Sequence, residues 1–187
     1  MKPTLIALAV LGLAVPAHAA DTYGIDPAHT LPSYEINHMG FSTQRGHFNA
    51  VTGKLVLDRA ARSGSVDITI DAASINTGNP KQENHLRSED FFNVDKYPTI
   101  TFKSTRLNFS GDNVVGADGA FTLLGVTKPL TLSVANFKCG ANPMVKKDEC
   151  GGDVTVTIKR SDFGMTKFIP AVGDEVKLLI PVEAFKE

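Results

Sequence analysis

Histidines, a cysteine pair and a short acidic cluster are the side chains of this 187-residue chain that could do chemistry. Imidazole, thiolate and carboxylate groups hold metals or move protons, but only when the chain presents several of them together. His29, His38, His47 and His85 lie in four separate segments, with no H-x-H pair and no H-E-x-x-H helix face. No metal site is expected from them. There is no G-x-S-x-G elbow and no glycine-rich loop opening a helix to cradle phosphate. Glu83, Glu89 and Asp90 share a polar stretch with Arg87 and read as a solvated face. Cys139 and Cys150 are too far apart for a C-x-x-C redox pair, and two thiols alone make no zinc site. The chain is therefore read as a non-enzyme with no catalytic residues and no required cofactor.

The opening residues set the environment of the two thiols. Lys2, an apolar run over residues 5–15 and the small-residue sequence Ala17-His18-Ala19 form the pattern of a secretory signal peptide, cleaved near Ala19 or Ala20. That run is too short to cross a hydrocarbon layer of ~30 Å. A soluble periplasmic protein is expected, with residues 1–19 as leader and residues 20–187 as a single domain. In an oxidising space Cys139 and Cys150 are expected to form a structural disulfide. Removing Lys2 from the 19 basic side chains leaves 18 against 20 acidic, a net of −2, with the signs interleaved. This argues against nucleic acid as a partner and against strong binding to anionic membranes, both of which need a basic patch.

After the leader, apolar residues alternate with polar ones in short runs bounded by Gly, Pro, Asn and Asp, the mark of half-buried antiparallel strands. Tyr34, Ile36 and His38 share one face of such a run, as do Gly53, Leu55 and Leu57, then Val66, Ile68 and Ile70. Ile100 and Phe102 follow, then Phe121 and Leu123, Leu130, Leu132 and Val134, then Val154, Val156 and Ile158. The last run sets Val176, Leu178, Ile180 and Val182 on one face. Eight strands or slightly more are expected, joined by tight turns at Ser110-Gly111-Asp112-Asn113 and Gly125-Val126-Thr127-Lys128 into a meander. One stretch departs from alternation, and Pro80 with Leu86 and Phe91 predicts a helix over 81–91. An all-β meander removes its exposed edges by closing into a barrel.

An eight-stranded barrel is filled by its own side chains or holds one small ligand. The inner face read here carries no Asp, Glu, Lys or Arg. If hollow, it suits a long uncharged hydrocarbon, because an ionised head could not be desolvated there without a partner. Residues 163–174 are more apolar than a connection needs to be, with Phe163, Met165, Phe168, Ile169 and Val172. They read as a plug over one end of the barrel or as a greasy lip beside its mouth. Alternation alone does not choose between a filled scaffold and a hollow binder.

Several ordered motifs bear on that choice. His85-Leu86-Arg87-Ser88-Glu89-Asp90-Phe91-Phe92, followed by Tyr97-Pro98-Thr99-Ile100-Thr101-Phe102, resembles the signature of the YceI-like family of exported polyisoprenoid-binding proteins. Tyr23-Gly24-Ile25-Asp26-Pro27-Ala28-His29, Phe121-Thr122-Leu123, Gly125-Val126-Thr127-Lys128-Pro129 and Arg160-Ser161-Asp162-Phe163-Gly164-Met165 extend the resemblance over the mature chain. It implies a lipocalin-like extended antiparallel barrel of eight strands with one short helix, enclosing an apolar tunnel for an isoprenoid quinone or a polyprenyl phosphate. It implies no catalytic role for His85 or Arg87. The expected lining is Tyr34, Ile36, His38, Leu55, Leu57, Ile68, Ile70, Ile100, Phe102, Phe121, Leu123, Leu132, Val156, Ile158, Phe163, Met165, Phe168, Val176, Leu178 and Ile180. The isoprenoid lipid is the expected partner, exchanged transiently with membranes. The alternative reading is a filled barrel whose loops bind another protein as an envelope stress or adhesion module.

Overall fold

The computed structural model describes residues 20–187, and the expected leader lies outside them. Extended backbone dominates because the alternating runs can bury only one face each. The strands are β1 (Asp21–Ile25), β2 (Ser33–His38), β3 (Ser42–Phe48), β4 (Val51–Asp58), β5 (Ser63–Asp71), β6 (Ile75–Asn76), β7 (Thr99–Ser110), β8 (Asn113–Leu123), β9 (Val126–Ala141), β10 (Asp148–Lys159) and β11 (Val172–Lys186). The single α-helix among the described residues is α1 (Pro80–Arg87).

All pairings are antiparallel, and eight strands close a ring in the order β1, β4, β5, β7, β8, β9, β10, β11 and back to β1. From β4 onward the chain is the expected meander, interrupted by β6 and α1. The opening strands depart from it. β11 is long enough to have two partners along one edge: residues 184–186 pair with β1, whereas residues 172–179 pair with β2. β2 then carries β3, and β3 carries β6. One end of the barrel is thus closed by β1, and at the other end β2, β3 and β6 form a flap beside α1.

Local chemistry explains the remaining differences from expectation. The helix ends at Arg87, short of Phe91, because Ser88 is extended and its hydroxyl donates to the His85 carbonyl at 2.7 Å. At its start Pro80 occupies the first turn, and the Asn79 side chain accepts from the amides of Lys81 and Gln82. The β8–β9 turn is centred on Leu124-Gly125 and not on Val126-Thr127. Both turn residues have positive φ, 51° and 71°, the conformation that matches a two-residue hairpin to the strand twist. β11 begins at Val172, four residues before the alternation does, with a register shift between Val172 and Val176.

Cys139 and Cys150 stand directly opposite each other on β9 and β10 and are joined by a disulfide, with Cα atoms 4.1 Å apart. Cys150 is buried. Closing a loop of this size contributes about 3 kcal/mol in the chain-entropy account. Replacing both cysteines with serine is expected to lower the melting temperature by roughly 6–12 °C. A calorimetric scan checks it, and an unchanged Tm would show that the hairpin needs no crosslink.

Candidate functional site

The barrel is hollow. A cavity of about 1060 Å³ runs through its interior, at the upper end of the roughly 300–1,000 Å³ usual for small-molecule sites. Period-two geometry puts the wall together: β4 and β5 supply Leu55, Ile68 and Ile70, β7 and β8 supply Ile100, Phe102, Phe121 and Leu123, and β9 and β10 supply Leu132 and Ile158. β11 supplies Val176, Leu178 and Ile180, and β2 supplies Tyr34, Ile36 and His38. Met165 and Phe168 come from the connection before β11. The filled-scaffold geometry does not describe this barrel.

Three residues expected in the wall are elsewhere. Leu57 is fully buried in the core near the β1-closed end, one step of alternation beyond Leu55, where the cavity does not reach it. Val156, the cross-strand partner of Leu178, is half-buried without reaching the cavity surface. Phe163 belongs to a single 3-10 turn (Arg160–Phe163) and packs edge-on against Phe121, with centroids 5.4 Å apart, behind the wall.

Wall residues that alternation did not single out include Phe48 of β3, Ile25 of β1 and Arg160. β3 reads STQRGHF, and only Gly46 and Phe48 of its seven residues are buried, so it shows no apolar repeat. Arg160 is 1 % exposed and holds the chain around the start of β11. Its Nε donates to the Gly173 carbonyl at 2.8 Å, Nη1 to Met165 and Nη2 to Val172, each at 2.9 Å. Burial lowers its pKa, opposed by the nearby Asp174 carboxylate. Asp174 itself accepts from the Ser161 amide and hydroxyl, which hold its carboxyl below the usual carboxylate range.

The exposed members of the wall all lie at one end. His38, Met39 and Gln44 come from the β2–β3 hairpin, Asn79, Lys81, Gln82 and His85 from α1 and its cap, and Phe168 and Ala171 from the connection before β11. The mouth is therefore at the flap end. Three elements are tied together around it. The Met39 amide donates to the Ala171 carbonyl, His85 Nε2 lies 2.9 Å from Asp90 Oδ2, and Lys167 Nζ lies 3.3 Å from Asp90 Oδ1. The hydrogen bond from His85, and then that from Lys167, lowers the Asp90 pKa. The His85 ring packs edge-on against Phe91 and Phe168, at 5.1 and 5.8 Å. Arg87 anchors α1 by donating to the carbonyls of Ala73 and Ile75, and Glu83 accepts from the Thr77 amide. The acidic stretch thus consists of loop-holding groups as well as a solvated face.

Among the described residues one group has ligand atoms close enough for a metal: Asp26, His29 and Glu183, on the outside of the barrel. His29 Nδ1 is 2.6 Å from Asp26 Oδ2, and this hydrogen bond, with the Glu183 carboxylate, raises the imidazole pKa. An exposed ion pair accounts for the arrangement. No helix among the described residues is long and apolar enough to cross a membrane.

Tyr34 shows what the cavity does to a polar group. Burial, with the negative charge of Glu83, pushes its phenol from 10.0 up to about 12. Stability gained by keeping the proton is intact below pH 10 and lost as pH rises from there toward 12. Unfolding free energy is expected to fall over that interval together with late phenolate absorbance; a flat profile would place Tyr34 in a wetter setting.

The YceI-like domain family matches residues 23–184. A UPF0312 protein of Pseudomonas aeruginosa is 37 % identical over 193 residues, and Protein YceI of Escherichia coli 35 % over 193, each match covering 100 % of both chains. Among solved structures, BcnA of Burkholderia cenocepacia superposes with a TM-score of 0.73 at 25 % identity, covering 86 % of this chain and 99 % of that one. A domain from Saccharophagus degradans, described as a polyisoprenoid binding domain, shares the fold with a TM-score of 0.61 at 15 % identity, covering 88 % of this chain and 98 % of its own. By a match that runs from within β1 to within β11, the first and last strands of the closed ring, the chain belongs to the YceI-like domain family.

Proposed function

We propose that this protein is a non-enzymatic binder of a long isoprenoid lipid, an isoprenoid quinone or a polyprenyl phosphate, which it carries in the periplasm and exchanges with membranes. The observation that carries the reading is the apolar cavity of about 1060 Å³ whose exposed wall residues lie together at one end of the barrel. The polyisoprenoid-binding description of the structural neighbour from Saccharophagus degradans supports the ligand class. The disulfide fits an oxidising compartment.

Energetics favour a carrier over a sink. Each buried methylene is worth ~0.8 kcal/mol against water. The lipid's other home is a bilayer as apolar as the barrel, so the net preference for protein is small. Rapid exchange then depends on how the mouth meets the membrane, and exposed apolar side chains stand among the polar groups at that end. Phe41 is 87 % exposed at the β2–β3 tip, as is Met39 at 57 %, and Phe168 of the connection before β11 is 45 % exposed. Phe41→Asp is expected to slow lipid transfer between neutral vesicles about tenfold while leaving the equilibrium distribution unchanged, because the side chain is outside the wall. Equal transfer rates would remove the rim from the exchange step.

The deciding experiment is gentle purification followed by organic extraction and mass spectrometry. A stoichiometric quinone or polyprenyl species establishes the reading. A blank from folded protein, repeated after incubation with membranes, overturns it.

A further inference from the structure

Tyr34 is the one phenol in the cavity wall, and its hydroxyl has no hydrogen-bond partner among the described residues. Buried tyrosines ordinarily find a partner for that group. No fully enclosed side-chain nitrogen or oxygen among the described residues lacks one, so the unpaired hydroxyl faces open space, and the space that Tyr34 lines is the cavity.

Its placement is built into the sheet. Tyr34 on β2 stands opposite Gly46 on β3. A Cβ at position 46 would lie 2.6 Å from the Tyr34 hydroxyl and 2.7 Å from two ring carbons, so only glycine leaves room for the ring to lie across β3. The other cross-strand neighbour is Leu178, an apolar wall residue. A single donor is thus held in place on an apolar surface.

We propose that the Tyr34 hydroxyl is the polar anchor of the cavity, donating a hydrogen bond to a neutral carbonyl oxygen on the lipid. The site then prefers an uncharged carbonyl-bearing isoprenoid, such as a prenyl quinone, to a prenyl phosphate. This rests on the lipid-binding reading above. The phenol keeps its proton at physiological pH and can donate it to an acceptor. Glu83 is near enough to act on Tyr34 electrostatically, and its negative charge opposes a second anion there. The buried cation of the wall, Arg160, has each of its three nitrogens already bonded to a backbone carbonyl around the start of β11. Lys81 lies at the exposed mouth, where a phosphate would keep its water.

The test uses delipidated protein and its Tyr34→Phe variant, which keeps the ring over Gly46. Two probes share one tail, a prenyl benzoquinone and the corresponding prenyl phosphate. Wild type is expected to bind the quinone more tightly, and Tyr34→Phe to weaken it about three- to tenfold, the worth of one neutral hydrogen bond, with phosphate affinity unchanged. The infrared carbonyl stretch of the bound quinone should move to higher frequency in the variant. Binding of both probes with no change in either readout means that water satisfies the phenol and overturns the anchor while leaving lipid binding intact. An equal loss for both probes reduces Tyr34 to wall packing and likewise overturns it. Failure of wild type to bind either probe overturns the lipid-binding reading itself, and this inference with it.

Discussion

Leu178→Asp is expected to cut co-purifying lipid at least tenfold while most of the protein remains folded. Leu178 lies in the cavity wall between Tyr34 on β2 and Val156 on β10, its cross-strand partners. A carboxyl there must either stay protonated without a partner, at about 1–3 kcal/mol, or draw water into the tunnel. Losing the buried leucine surface costs about 2 kcal/mol more. The total of about 3–5 kcal/mol falls below the stability of most domains, roughly 5–15 kcal/mol, so loss of lipid and loss of fold can be separated. Thr157→Asp, on the exposed face of β10 opposite Lys177, introduces the same group outside the barrel and is expected to retain lipid. Lipid-to-protein ratios from extraction, with circular dichroism on the same samples, check the pair. Unchanged lipid in Leu178→Asp would take Leu178 out of the binding surface.

A loss of stability as large is expected from Arg160→Ala. Three backbone carbonyls, those of Met165, Val172 and Gly173, lose their donor at once in a place that is almost wholly enclosed. An unpaired buried carbonyl costs about 1–3 kcal/mol, and water entering the vacated space recovers part of it. A net loss of about 3–5 kcal/mol follows, on the order of 10 °C in Tm for a domain of this size. Arg160→Lys should fall between, because an ammonium cannot reproduce the three-way fork of the guanidinium. Met165 and Val172 are wall residues, so lipid retention should decline with stability. Chemical denaturation checks the series; a loss under about 1 kcal/mol in Arg160→Ala would mean that the connection before β11 is held by its own packing.

How much of this was legible beforehand varies with the kind of pattern. Runs such as Val176, Leu178 and Ile180 announce a face because alternation is a local property and one side of each strand meets an apolar cavity. β3 gave no such sign, since four of its residues are exposed and its inward positions are a glycine and one phenylalanine. The motif Arg160 to Met165 was visible as a family resemblance, but its physical role was not. The partners of the guanidinium are backbone carbonyls, which no side-chain pattern records. Likewise His29 lies near Glu183 across 154 positions of sequence, a meeting that only barrel closure produces.

The sequence by itself determined the strand-rich class, the cysteine pairing, the apolar inner face and the family, because composition, period-two alternation and ordered motifs are written locally. Only the tertiary structure decided that the barrel is hollow, that its mouth is at the flap end, and that Leu57, Val156 and Phe163 lie outside the wall. Those are questions of closure. Whether side chains meet across a barrel depends on strand order and register, and here these depend on β11 dividing its edge between β1 and β2. The left-over Tyr34 hydroxyl belongs to the same class of fact, since a side chain is known to lack a partner only once every neighbour has been placed.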